Sequence, residues 1–181
     1  MSLSLKAIIE GLLFVAETPL DLRKIALVTE GVSDERLQKT LDELEAEYEE
    51  MDRAFILKKV AGGYQFRTRP EISPYILRLK KKSPSRLSRA AIETLAVVAY
   101  RQPILKAEIE KIRGVDVGGI LKTLMEKGLV RVAGRKELPG RPLIYGTTKR
   151  FLETFDLPNL EALPSIEEMQ SLGHDEEARL F

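Results

Sequence analysis

The sequence predicts an α+β, mainly helical protein built from two tandem copies of one module. Three observations predict it: a repeat at a fixed offset, helical spacing of apolar residues inside each copy, and a β-hairpin pattern closing each copy. The repeat is the strongest. Ile9-Glu10-Gly11-Leu12-Leu13-Phe14-Val15-Ala16 recurs as Ile92-Glu93-Thr94-Leu95-Ala96-Val97-Val98-Ala99, an offset of 83. Gly31-Val32 recurs as Gly114-Val115, and Leu37-Gln38-Lys39-Thr40-Leu41 as Ile120-Leu121-Lys122-Thr123-Leu124, at the same offset. Pro19-Leu20 matches Pro103-Ile104 with one inserted residue. Chance rarely holds one offset through three blocks, so the chain reads as a duplicated unit of about 80 residues.

In the first copy, residues 5–17 read as a helix with Ile8, Leu12 and Val15 on one stripe. Residues 20–30 read as a second helix stopped by Gly31. Ser33 is a good N-cap for the third, and Asp34 and Glu35 suit the positive end of its dipole. Leu37, Leu41, Leu44, Tyr48 and Met51 then form one apolar seam at spacings of four and three. Phe55–Val60, the turn Ala61-Gly62-Gly63, and Tyr64–Arg69 read as a hairpin, and a short helix over Ile72–Leu79 leads out. The second copy repeats the order. Helices are expected near 89–101, 104–113 and 116–127, a hairpin over Leu129–Ala133 and Leu143–Thr147, and a last helix near 148–156. Three helices followed by a hairpin is the winged-helix arrangement. The expected division is a first winged-helix domain over 1–80, a polar linker over 81–87, a second winged-helix domain over 88–157 and a mobile acidic tail over 158–181.

Composition narrows the function. A hydrophobic content of 44% supports packed cores, and a net charge of +1 gives no global pull toward nucleic acid or an anionic membrane. No cysteine is present, which excludes disulfides and thiolate metal sites and fits a reducing compartment. No run is long enough to span a bilayer, so a cytoplasmic protein is expected. The single histidine, His174, lies in the tail. One histidine and no cysteine leave few routes to a nucleophile–base pair or a zinc site. Glu108 and Glu110 are two apart on a helix and point to different faces. Gly114, Gly119 and Lys122-Thr123 imitate a phosphate-binding loop, but Ile120 stands where the lysine belongs, and no apolar strand leads in. No catalytic residue, metal or cofactor is expected.

Winged helices often place the third helix in the major groove. Here that helix in copy one carries Asp34, Glu35, Asp42, Glu43, Glu45, Glu47, Glu49 and Glu50 against only Arg36 and Lys39, which repels phosphate. Basic residues collect instead at Lys80, Lys81, Lys82 and Arg86 in the linker and at Arg135 and Lys136 on the second wing. These are either solvated or make weak, sequence-independent phosphate contact.

The first helix of each copy points toward protein partners. At 100° per residue, Ile8, Ile9, Leu12, Val15 and Ala16 make the expected core face, and Phe14 falls opposite. In copy two, Ile92, Leu95, Val98 and Ala99 make the core face, and Val97 and Tyr100 fall opposite beside Glu93. An outward apolar residue at one place in both copies suggests a surface made to be covered. The alternative is burial against the module's own last helix or against the other copy. Phe14, with Leu13 and Leu20 as neighbours, is the expected homodimer contact.

Two stretches are distinctive. Glu93-Thr94-Leu95-Ala96-Val97-Val98-Ala99-Tyr100-Arg101-Gln102-Pro103-Ile104, and the run from Gly134 through Arg141-Pro142 to Thr148, closely resemble bacterial segregation and condensation proteins of the ScpB family. The match covers roughly residues 5–157. This resemblance implies a non-enzymatic tandem winged-helix protein whose amino-terminal modules dimerise. It also implies that the second module takes much of the contact with the kleisin ScpA, and that the SMC protein is joined through the kleisin. Glu93, Val97, Tyr100, Arg141 and Tyr145 are the expected kleisin-binding residues, although Arg141 and Tyr145 could equally meet DNA, and Gly140 and Pro142 beside them could merely shape the wing. Chromosomal DNA would be met indirectly or weakly, at the nucleoid. The competing reading is a winged-helix transcription regulator.

Overall fold

The computed structural model describes residues 3–80, 87–165 and Glu168. Lys81, Lys82, Arg86 and His174 lie outside the described residues, as does most of the expected tail. The first copy folds as α1 (Leu5–Val15), α2 (Leu22–Val28), α3 (Asp34–Glu50), β1 (Phe55–Val60), β2 (Gly63–Thr68) and α4 (Ser73–Lys80). The second folds as α5 (Arg89–Arg101), β3 (Ile104–Leu105), α6 (Lys106–Arg113), α7 (Gly118–Glu126), β4 (Val130–Arg135), β5 (Leu143–Thr147) and α8 (Lys149–Thr154). The α+β, mainly helical class and the pair of winged helices expected from the sequence are both present.

Short polar side chains start the helices. Ser4, Asp21, Ser33 and Ser88 each accept a bond from the backbone N–H three residues on, which satisfies a donor the helix itself cannot. Each copy then closes over its own core. Ile9, Leu13, Ile25, Leu37, Leu41, Leu44, Leu57 and Tyr64 make the first. Leu95, Val98, Ile109, Val117, Leu121, Leu124 and Phe151 lead the second. Burial of each such aliphatic side chain contributes about 1.5–3 kcal/mol.

The aligned proline-containing segments perform one job in both copies. Leu20 exchanges two backbone bonds with Tyr64, of 2.9 and 2.8 Å, and Ile104 pairs with Tyr145. The segment before the second helix thus joins the wing, by one isolated bridge in copy one and as a third strand in copy two, which is why α2 begins at Leu22 and α6 at Lys106 rather than two residues earlier. Glycine is required at the approach in copy one, where a Cβ on Gly63 would stand 2.7 Å from the Leu20 carbonyl. In copy two, Gln102 clamps the strand: its Oε1 accepts from Thr147 N at 2.7 Å, and its amide donates to the Ala99 carbonyl at 3.1 Å. The Gln102–Pro103 peptide is cis.

The two copies also meet outside the linker. The tight turn of the first wing holds Ala61 and Gly62 at positive φ and presents their N–H groups to the Leu157 and Pro158 carbonyls, both at 2.8 Å. Arg67 reinforces this seam by donating to the Glu153 carbonyl at 3.1 Å, with Asp156 3.7 Å away. Residues 158–165 therefore differ from the mobile tail expected to start at Pro158. Pro158 is held by the first wing, Leu163 packs on the second core, and Asn159 caps a short turn over Leu160–Ala162.

Candidate protein-interaction surface

The charges of α1 all point one way. Lys6 pairs with Glu47 on α3, and Glu10 accepts the hydroxyl proton of Tyr48 on the same helix. Burial, and then that bond, push the Tyr48 hydroxyl up to about 12. Ile9 and Leu13 face the core beneath. What remains outward is Ala7, Ile8, Gly11, Phe14 and Val15, an exposed face with no charge on it. Phe14 is 81% exposed and Val15 72%. A Cβ built on Gly11 would meet nothing within 4 Å. Neither a close neighbour nor a positive φ within the module calls for glycine there, yet mid-helix glycine costs about 1 kcal/mol relative to alanine.

This face corrects the sequence reading in two ways. Leu13, expected at the dimer contact, is 2% exposed and belongs to the core, while Val15 and Ile8, expected in the core, face solvent. Leu20 is half-buried and spent on its bridge to Tyr64. Phe14 alone of the three is placed as expected. Gly11 lies outward beside Phe14 as the helical spacing has it, and Ala7, Ile8 and Val15 share that exposed side.

On the second module the expected residues do not converge. Tyr145 is buried between Ile104 and Val132 in the sheet, so it cannot reach a partner. It was misjudged because a central strand covered on its inner face hides alternate side chains. Val97 is half-buried against the core. Tyr100 is exposed, but its row on α5 is Ile92 and Ala96, at spacings of four, and not Val97. Ile92, expected in the core, is 53% exposed. Glu93 is already engaged: Arg113, and then Arg89, hold its carboxyl below the usual range. Arg141 is exposed on the wing loop, its backbone at positive φ and its carbonyl accepting from Arg135 at 3.2 Å. Lys80 and Lys136 are exposed, the latter 3.9 Å from Glu108.

The Ile92–Ala96–Tyr100 row forms one wall of an apolar pocket of about 300 Å³. Phe155, Leu163 and Pro164 also line it. The Tyr100 hydroxyl donates to the Pro164 carbonyl at 2.6 Å.

The false phosphate loop is a helix–helix turn. Lys106 bonds Asp116 at 2.9 Å and Glu110 at 3.2 Å, and Asp116 also accepts from Gly118 N at 3.2 Å. These partners, Lys106 first, bring the Asp116 carboxyl down to about 2. Glu108 accepts from Leu105 N at 2.9 Å, apart from Glu110. No group of three or more His, Cys, Asp or Glu among the described residues is placed to hold a metal, and no helix among them is long and apolar enough to cross a membrane.

The model of the family "Segregation and condensation complex subunit ScpB" matches residues 7–166. The chain belongs to the ScpB family. A "Segregation and condensation protein B" from Syntrophotalea carbinolica is 48% identical over 99% of this chain and 91% of its own length. A crystal structure of ScpB from Mycobacterium tuberculosis is 33% identical, covering 86% of this chain and 98% of that one, with a TM-score of 0.41. A solved dimer of an ScpB N-terminal domain complexed with an ScpA peptide is 35% identical over 41% of this chain and 91% of its own, with a TM-score of 0.38. The family resemblance read from the sequence holds, and the function is that of a segregation and condensation complex subunit rather than a transcription regulator.

Proposed function

We propose that this chain is a non-enzymatic, homodimeric subunit of an SMC–kleisin complex, with first modules joined through the outward face of α1 and an apolar segment of the kleisin ScpA bound on the second module. The uncharged α1 face carries the reading. Solvent-exposed helices normally place their charges outward, whereas here both α1 charges turn to α3 and leave Phe14, Val15 and an unhindered Gly11 outside. A glycine on such a face lets a second helix approach closely. In a two-fold interface the same patch meets itself, so each side chain counts twice. Phe14 is the aromatic anchor of the contact, which for a specific interface buries about 1,600 Å² in total.

For the kleisin, the Ile92–Ala96–Tyr100 wall replaces the expected Val97 surface. An apolar groove beside a tyrosine suits an amphipathic segment, with the ring buried and the hydroxyl still bonded. Lys80, Arg135 and Lys136 are left for weak contact with DNA, and the working place is the cytoplasm, at the nucleoid.

Sedimentation of the wild type at micromolar concentration tests the first part: a monomer there ends the dimer reading. Calorimetry with purified ScpA from the same genome tests the second. Ala96→Glu should weaken binding at least tenfold with circular dichroism unchanged, and unaltered affinity places the kleisin elsewhere.

A further inference from the structure

Helix α8 is finished by the first module. A helix end leaves its last carbonyls without an intrahelical partner. The second module closes one of them itself: Asp156 turns into the left-handed region, at φ 53°, and Leu157 N donates back to the Leu152 carbonyl at 2.9 Å. The carbonyl of Glu153 is closed from outside, by the Arg67 guanidinium of the first wing at 3.1 Å. A cation is favoured at that end of a helix dipole. Ala61 and Gly62 then donate to the Leu157 and Pro158 carbonyls, both at 2.8 Å. The turn over residues 153–158 therefore takes three donors from the other module.

The same turn supplies part of the apolar pocket. Phe155 and Leu157 line it together with Ile92, Ala96 and Tyr100 of α5. Leu157 thus gives its side chain to the pocket and its carbonyl to the first wing. We propose that Arg67 is a positioning residue for this pocket: by finishing the C-cap of α8, the first module sets the wall made by Phe155 and Leu157, and docking of the first wing is coupled to occupancy of the pocket. This rests on the kleisin reading for the natural occupant, an apolar segment of ScpA. Two features show that the turn leans on the first module. Asp156 stands where glycine would take left-handed backbone at least cost, so the second module's own share of the cap is the weaker for it. Arg67 Nε is buried without a hydrogen-bond partner, and the Asp156 carboxylate stands 3.7 Å away, just outside bonding range. A small displacement of the turn decides whether that charge-assisted bond forms. By linkage, a seam that steadies the wall for an occupant is itself steadied when the occupant binds.

The chain contains no tryptophan, so Phe155→Trp places one reporter in the wall of the full-length protein. Adding Arg67→Ala should move its emission to longer wavelength and raise its quenching by acrylamide. Arg69→Ala removes the same charge further along the chain, where the guanidinium bonds the Arg53 and Glu49 carbonyls within the first module, and should leave the reporter as it was. Asp156→Gly, which makes the cap self-sufficient, should return the emission in the Arg67→Ala background. If Phe155→Trp does not fold, hydrogen exchange at the Leu157 amide reads the same turn, and it should be faster in Arg67→Ala. A reporter indifferent to Arg67→Ala, equally moved by Arg69→Ala, or not restored by Asp156→Gly overturns the positioning role. In calorimetry with ScpA from the same genome, Arg67→Ala should weaken binding at least about fivefold, the lower end of ordinary coupling between sites. A kleisin weakened by Ala96→Glu but indifferent to Arg67→Ala overturns the coupling. A kleisin indifferent to Ala96→Glu removes ScpA from the pocket, and the tryptophan reporter then decides the positioning role by itself.

Discussion

Helices α1 and α5 occupy the same place in the repeat and bury different residues. Val15 and Val98 are aligned by the offset, yet Val15 is exposed and Val98 is fully buried. Leu13 and Ala96 are likewise aligned, and there the buried residue is Leu13. The shared sequence sets a helix with apolar residues nearly all round. Which side becomes core is decided by the partners. Lys6 and Glu10 tie α1 to α3, whereas Glu93 ties α5 to Arg113 on α6. Leu157, Leu163 and Pro164 of the second module then line a pocket along the outward side of α5, while Phe14 and Val15 on α1 stay 81% and 72% exposed. A duplicated unit has thus kept its fold while turning different sides of the same helix toward solvent.

The sharpest way to break this comparison is to charge both aligned valines. Val98→Asp should unfold the second module, at a cost above about 4 kcal/mol, because it buries a carboxylate without a partner. Val15→Asp should leave melting of the monomer nearly unchanged and abolish association. Equal melting temperatures for the two variants would sink the comparison. Next in size, Phe14→Asp removes a ring that a two-fold contact holds twice, an expected loss of about 3–6 kcal/mol in dimer stability, read by sedimentation equilibrium. Smaller still, Gly11→Ala should raise helix stability by about 0.5–1 kcal/mol, yet weaken the dimer if the glycine is there for close approach. A variant that melts higher and associates as well as the wild type shows that the glycine is incidental. The smallest effect is electrostatic. Asp116 is held below its usual 3.8, at about 2, so its contribution exists above its unfolded value and disappears as pH falls through about 2. Asp116→Asn should therefore lower the melting temperature slightly at neutral pH and not at pH 2, and the difference should shrink in salt.

The same helix shows how far the sequence is legible. The repeat, the order of helices and wing hairpins, and the Ser33 cap are readable, because each rests on local spacing or on a residue type with one favoured use. The facing of α1 is not. Ile8, Ile9, Leu12, Leu13 and Val15 satisfy two helical stripes, and periodicity has no means of choosing between them without knowing that α3 will claim Lys6 and Glu10. Tyr145 and Val97 failed for a related reason: an aromatic or apolar residue in a distinctive motif reads as functional, while the motif residues Gln102 and Tyr145 serve to hold the wing. The strand Ile104–Leu105 is two residues long and leaves no pattern. Residues 158–165 lack periodicity and pack through prolines and a capped turn, which composition alone reads as tail.

The seam between the first wing and residues 157–158 changes what the linker does. Two backbone bonds, one bond from Arg67 to a carbonyl and an ion pair between partly exposed groups would not hold two separate proteins together. Joined through residues 81–86, the modules meet intramolecularly, and a contact worth little in solution becomes populated. The chain is then a closed loop with one covalent and one breakable joint. Opening it needs only the breakable joint to lose its two backbone N–H bonds and the Arg67 contacts to other acceptors, and the linker keeps the two surfaces near each other for closing again. A single proteolytic nick within 81–86 converts the same contact into a bimolecular one, so the nicked halves should separate on dilution in gel filtration while each keeps its own fold.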